Sequence, residues 1–410
     1  MKYPLFVFAI LIFFSSCKKE ENFSERPYCL MAGTNTFHWV PAEKLWFFSA
    51  VRVYMAWEWF EAQPGKFRFA PTAKASGDYD RYLGQLDALG IVPVLCINQS
   101  PDWIRGANGD PDAAPAGGGD MSLPSSYKYA ARMYYQFAAR YGDVEIDKKN
   151  ILVDTTERWT NEGKNTNISG LGVVDFIEIW NEPDKWWKRG TTAYFEPEQY
   201  AAMLSACYDG HEGRMGDGYG VRAADPSINV VMGGISEFDT AYVSRMALWF
   251  FIHRKDRKFA ADVINYHHYC NADGGLFKGR EFGISPNSDN IESTLKALKR
   301  HSYRVCRNLP VWWSEFGYDT NERAGSPQYA TPDSAAAWIV ASLEAAKNAK
   351  IGAAFIYNSV DEQSPENWLF QSSGIMYGQS AGNSYAPKKS YEMVKAYLVA
   401  GNRCSRVGKN

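Results

Sequence analysis

The chain lacks most of the signatures that would settle its chemistry at a glance. Its seven cysteines form no CxxC pair and no zinc-type spacing, so they suggest neither a metal ribbon nor a thiol redox motif. There is no HExxH, no P-loop and no GxGxxG after a strand, so no metal, nucleotide or flavin cofactor is expected. Neither sign of charge is in excess: 44 Lys plus Arg against 46 Asp plus Glu leave a net −2. That balance offers no general attraction to nucleic acid or to an anionic membrane surface. One long apolar run, Leu5 to Phe14, is shorter than a membrane-spanning helix needs. No repeat recurs at a fixed period and no interdomain linker divides the 410 residues. What remains is a composition with 46% hydrophobic and 22% charged residues, which predicts a packed globular core. Aromatics reach 15%, with 14 Trp, enough both to fill a core and to face a ligand.

The apolar run follows the basic Lys2 and precedes the small residues Ser15-Ser16, the order of a secretory signal. Cys17 directly after them resembles a bacterial lipobox, which implies a lipidated cysteine at the mature N-terminus. Phe14 departs from the aliphatic residue usual at the third position before that cysteine. Lys18-Lys-Glu-Glu reads as a hydrated tether. The expected division is a signal at 1–17, a tether at 18–28, one catalytic domain at 29–400 and a tail at 401–410. The expected location is the cell envelope, with a lipid anchor as the only membrane contact and a monomeric state. An oxidising exterior would permit a disulfide among the other six cysteines without saying which.

From residue 29 onward, short apolar runs alternate with longer amphipathic stretches. Strands are predicted at 29–35, 50–57, 91–98, 176–182, 228–234, 263–269, 311–316 and 352–358. Helices are predicted at 79–90, 125–141, 197–210, 240–255, 289–306, 332–349 and 387–399. Near-continuous apolar strands separated by helices are the mark of parallel strands buried on both faces. Eight such units in series predict an α/β fold of the closed (β/α)₈ TIM-barrel type, a single domain with long βα loops. The segment 142–172 before the fourth strand is long for a connection, and its 144–153 piece reads as a small hairpin.

Two strands end in glutamate: Asp175-Phe-Ile-Glu-Ile-Trp-Asn181-Glu182-Pro183 and Pro310-Val-Trp-Trp-Ser-Glu315. Counted along the barrel, these are strands four and seven, whose C-terminal ends share one rim. Hydrolysis of a glycosidic bond with retention needs a carboxylic acid and a carboxylate ~5–5.5 Å apart. On these residues the chain resembles the retaining clan A glycoside hydrolases, whose barrels include cellulase-like and β-xylosidase-like families. The resemblance implies Glu182 as acid/base, Glu315 as nucleophile, and Asn181 on the 2-hydroxyl of the sugar. His267-His268-Tyr269 resembles the clan's His-x-Tyr, which implies that Tyr269 donates to Glu315 and that His267 positions the site. Arg52, on strand two, takes the place of an arginine that supports the nucleophile. The substrate implied is a β-linked glycan. A non-catalytic glycan-binding barrel and a transglycosylase using the same glutamates remain as alternatives.

Regular pleating would send Asn181 and Glu182 to opposite faces, so the fourth strand must bulge or turn at its end. Glu178 shares parity with Glu182 and would face the interior, where it needs a partner such as Arg52. Trp103, in Ser100-Pro-Asp-Trp, and Trp186, just past the acid, are the leading candidates to stack on sugar. Trp39, Trp57, Trp187, Trp313 and Trp368 are further ones. Lys185, Lys188 and Arg189 beside Glu182 could select an acidic or sulfated glycan.

Overall fold

The computed structural model describes residues 28–272, 283–320, 330–362, 370–379 and 384–404. Cys17 with the signal, nearly all of the tether, Trp368 and the end of the tail lie outside these residues. Eight parallel strands run in the order β5-β4-β3-β2-β1-β8-β7-β6. They are β1 Met31–Thr36, β2 Ala50–Ala56, β3 Val92–Asn98, β4 Phe176–Ile179, β5 Asn229–Met232, β6 Ile264–His267, β7 Val311–Phe316 and β8 Ala353–Ile356. The seam between β5 and β6 is closed by parallel bridges at Val231–Val263 and Ile235–Tyr266. The architecture is a nearly closed (β/α)₈ barrel.

The surrounding helices are α1 Tyr79–Ala88, α2 Lys128–Tyr141, α3 Pro197–Asp209, α4 Thr240–His253, α5 Ile291–Val305, α6 Pro332–Ala349 and α7 Lys389–Tyr397. Their starts follow local chemistry. Asp78, Asp239 and Thr331 each accept a first-turn N–H, and Glu196 with Gln199 forms a capping box. No helix among the described residues is long and apolar enough to cross a membrane.

The barrel interior is layered by strand parity. Its floor is apolar: Ala50, Val92, Val94, Val231, Val263, Trp312 and Phe355 pack together there. Each fully buried Val or Phe side chain contributes ~1.5–3 kcal/mol. Two residues further along β2, β4 and β6 the lining becomes polar, with Cys96 of β3 beside it. Arg52, Cys96, Glu178 and Asn265 are all buried. Floor and polar layer thus come from one alternation, with the apolar part near the strand starts.

One feature departs from the sequence reading, and another fixes a pairing that the sequence left open. The stretch 144–153 is not a hairpin: it holds a short 3₁₀ turn, Lys148–Asn150, and Val153 bridges Phe67 in parallel. Asn165 further on accepts from the N–H groups of Phe69 and Ala70, so this connection docks on the segment after β2. The cysteines also resolve into one bridge, Cys29–Cys404, with Cys96, Cys207, Cys270 and Cys306 buried and free. The bridge lies on the floor side: Cys29 precedes β1, and the Cys404 N–H donates to Ser49, which precedes β2.

Candidate active site

The mouth of the barrel holds a cleft of about 630 Å³ lined in part by Tyr54, Asn181, Glu182, Tyr269, Glu315 and Tyr357. Each glutamate reaches it through a break in a strand. β4 ends at Ile179, and the chain then turns through positive φ at Trp180 (72°) and Glu182 (47°). Such angles are uncommon outside glycine and persist only where the surroundings hold them. The turn swings Asn181 and Glu182 to the same side, the distortion their joint use requires. β7 breaks differently. Tyr266 pairs with Trp313 but His267 pairs with Glu315, and the register to β8 slips at the same place. This bulge puts Ser314 and Glu315 both inward, although plain alternation from Trp312 would aim Glu315 outward.

Arg52 organises the layer beneath. Its Nε and Nη2 donate to the two oxygens of Glu178 at 2.6 and 2.9 Å, and Nη1 donates to Glu315 Oε1 at 2.8 Å. The same guanidinium donates to Asn35 Oδ1 and to Asn181 Oδ1, each under 3 Å. With its oxygen turned to Arg52, Asn181 presents its NH₂ to the cleft. Glu178 also accepts from the Gly234 N–H and from Asn265. Gly234 in turn accepts the Glu182 N–H through its carbonyl. A Cβ on Gly234 would lie 2.1 Å from the His267 ring, so the close approach requires glycine.

Glu315 is held from several sides. Tyr269 donates to Oε2 at 2.9 Å, and Tyr54 donates to Oε1. His267 lies between the two acids: Nδ1 is 3.1 Å from Glu182 Oε1 and 3.4 Å from Glu315 Oε2, and Nε2 meets Ser314 Oγ at 3.0 Å. Burial lowers the His267 pKa to about 4 despite the Glu315 charge, so the ring is neutral near pH 7. The proton is then assigned to Nδ1, facing the carboxyls, with Nε2 accepting from Ser314. Burial also raises the Glu182 pKa, and the acids Asp112 and Glu237 act in the same sense. The charges on Lys185 and Arg52 oppose them. One carboxyl oxygen from each glutamate and one His267 nitrogen all lie within 4.8 Å of one another.

His268 leaves this cluster. Its Nδ1 meets Glu237 and its Nε2 meets Asp289 at 2.6 Å. Burial would lower its pKa, yet the bonds and charges of Asp289 and Glu237 outweigh burial and raise it to about 9. It is an imidazolium tying β6 to the loops that start α4 and α5.

The structure therefore brings together Glu182, Glu315, Asn181, His267, Tyr269 and Arg52. It does not bring Trp103 or Trp186 to the cleft. Trp103 donates to the Glu61 carbonyl and packs edge-on against Trp57 and Tyr129. Trp186 stands 41% exposed beside Trp187, and Trp187 is the one that lines the cleft. Trp57 and Trp313 are core residues, whereas Trp39 lines the cleft, stacked on Phe37 at 4.5 Å. Phe37, Tyr54, Trp59, Tyr357 and Phe370 also line it and were missed. Parity with Arg52 could have found Tyr54; no local signal marks the others. Two of the three basic residues are paired with acids: Lys188 bonds Asp110 and Asp112, and Lys185 lies 3.8 Å from Asp112. Arg189 bonds the Tyr194 hydroxyl and lies over its ring, away from the cleft lining. The two lysines that line the cleft thus already have acidic partners.

Barrel and cleft together define a class: parallel (β/α)₈ proteins with an acidic, aromatic-lined mouth. Within it, solved glycoside hydrolases are similar in fold. One is a family 39 glycoside hydrolase from the gut symbiont Bacteroides cellulosilyticus WH2, with TM-score 0.57 and 17% identity over 91% of this chain. This chain spans 64% of the length of that structure. A beta-glucosidase, 1317, in its apo form gives TM-score 0.54 at 16% identity over 86% of this chain and 84% of its own. Beta-glycosidase BGL167 gives TM-score 0.53 at 14% identity over 94% and 99%. At these identities the likeness is one of fold. No protein-family model matches the chain, and no curated protein matches its sequence.

Proposed function

We propose that this protein is a retaining glycoside hydrolase acting on a β-linked glycan, with Glu182 as acid/base and Glu315 as nucleophile. The observation that carries the reading is that an oxygen of each carboxyl lies within 4.8 Å of the other across His267. Retaining enzymes hold their carboxyls ~5–5.5 Å apart, and inverting ones leave ~6.5–9.5 Å for a water. In the first step a Glu315 oxygen bonds to the anomeric carbon while the glycosidic bond breaks and Glu182 protonates the departing oxygen. In the second, Glu182 takes a proton from water, the water oxygen attacks the same carbon, and Glu315 is released. The raised pKa of Glu182 suits the first step by keeping its proton available. In this reading the Asn181 NH₂ bonds the sugar's 2-hydroxyl, and Trp39 and Trp187 offer apolar faces for further sugar rings. The paired lysines favour a neutral glycan. An exported protein anchored at Cys17 is part of this reading, and the Cys29–Cys404 bridge supports export to an oxidising compartment.

The test is a panel of polysaccharides and aryl β-glycosides, with the product's anomeric configuration read by NMR. Glu315→Ala should abolish turnover, and azide should restore it as a glycosyl azide of inverted configuration. Near-native turnover by that variant removes Glu315 from the role. Binding without hydrolysis by the wild type would favour a glycan receptor, and transfer to an acceptor sugar over water a transglycosylase.

A further inference from the structure

We propose that Lys185 is the positioning residue for the proton donor, its buried ammonium locking the turn that carries Glu182 and tying it to the loop after β3. The inference rests on the two-carboxylate reading above.

The turn needs such a lock. Trp180 and Glu182 both lie at positive φ, and neither is a glycine. Because the chain has left β4, the carbonyls of Asn181 and Glu182 have no strand neighbour to serve. Lys185 Nζ donates to both, at 2.6 and 3.1 Å, from a side chain only 6% exposed. A buried ammonium is costly unless it is hydrogen-bonded and paired. Here the pairing comes from Asp112 Oδ1 at 3.8 Å, on the loop after β3, and Asp112 is fixed in turn by Lys188 at 2.7 Å. Asp184, bonded to the N–H and hydroxyl of Ser236, holds the far side of the turn. Lys185 thus acts on the two residues of the turn that face the cleft through their backbone carbonyls, and its hydrogen bonds go to neither reacting carboxyl.

Its charge has a second effect. Around Glu182 the cations are Lys185 and Arg52, and the acids are Asp112, Glu237, Asp184 and Glu315. Neutral His267 and the phenols of Tyr269 and Tyr357 complete the surroundings. Lys185 is the cation that opposes the upward push of burial most strongly. Removing it should displace the acid and raise its pKa further.

These effects separate by leaving group. A 2,4-dinitrophenyl aglycone departs without protonation, whereas an unactivated phenyl aglycone needs a proton from Glu182. The wild type, Lys185→Met and Lys185→Arg are compared on both aryl glycosides of the sugar that the wild type turns over fastest. For Lys185→Met, kcat/KM on the phenyl glycoside should fall at least tenfold more than on the dinitrophenyl glycoside. The basic limb of its pH profile should move upward, and Lys185→Arg should recover part of the loss. Asp112→Asn, a milder change that keeps the lysine, serves if Lys185→Met does not fold. It should show the same leaving-group bias but move the basic limb downward, because it deletes a negative charge. Equal losses on the two substrates with an unmoved limb would overturn the proposal and leave Lys185 a purely structural residue. A wild type inactive on every glycoside would instead overturn the hydrolase reading, and this inference with it.

Discussion

Replacing Arg52 by methionine should damage stability and activity through separable routes. Arg52 is fully buried and gives Glu178 two bonds, of 2.6 and 2.9 Å, and Glu315 one of 2.8 Å. Summing bonds to charged groups at ~1.5–3 kcal/mol each would overcount, because they belong to one network. The better guide is the ~3–5 kcal/mol lost when one partner of a buried pair is removed. In Arg52→Met, Glu178 would keep only the Gly234 N–H and the Asn265 amide for a buried charge. At ~2.1 cal/mol/K per residue, a domain of this size loses roughly 0.8 kcal/mol per degree, so ~4 kcal/mol lowers the melting temperature by about 5 °C. Adding Glu178→Gln removes the orphaned charge and should restore most of that loss, since buried pairs exchange for neutral groups at little cost. Activity should not return. Glu315 and Asn181 have still lost the donor that orients them, and misplacement of about 1 Å costs about 10²-fold. Calorimetry and hydrolysis on the two single variants and the double variant complete the cycle. A single variant melting within a degree of wild type would refute the reasoning, as would a double variant no more stable than Arg52→Met or one that recovers full activity.

Trp39→Ala or Trp187→Ala should each raise KM about tenfold, or ~1.4 kcal/mol, while Trp103→Ala should lower the melting temperature and leave KM unchanged; initial-rate kinetics beside thermal melts separate the two cases. His268 has its folded pKa raised from 6.5 to about 9, so its contribution is whole below about pH 6.5 and is lost as pH rises through 9. The stability gap between wild type and His268→Gln should therefore be on the order of 3 kcal/mol at pH 6 and close by pH 10, as measured by denaturant unfolding. A gap that does not change with pH would remove the charge from the account.

The barrel was legible because its strands are buried on both faces and read as uninterrupted apolar runs; β7, Val311–Phe316, coincides with the predicted span. Glu182 and Glu315 were legible for a related reason, since a carboxyl closing such a run has few structural uses. The turn after Ile179 could be deduced, because two adjacent side chains had to face the same way. The bulge in β7 could not, because no neighbour of Glu315 demanded it; Ser314 is needed inward only once His267 is known to reach it. The aromatic residues lining the cleft were least legible. Whether Trp103 or Trp39 faces the cleft depends on loop paths, and those are set by contacts such as the Trp103 bond to Glu61. The partners of the basic run after Glu182 were hidden in the same way, because Asp110 and Asp112 lie more than seventy residues earlier.

The Cys29–Cys404 bridge has a mechanical consequence. It makes the described fold a covalent ring of nearly its whole length, with a sequence separation of 375. A pull from upstream of Cys29 cannot peel β1 out of the sheet strand by strand, because the load passes through the sulfurs to the other end of the chain. Both sulfurs sit beneath the floor of the barrel, on the side opposite the cleft. Unravelling must then begin at an internal segment, and reduction of a single bond would give the barrel an end from which to unzip.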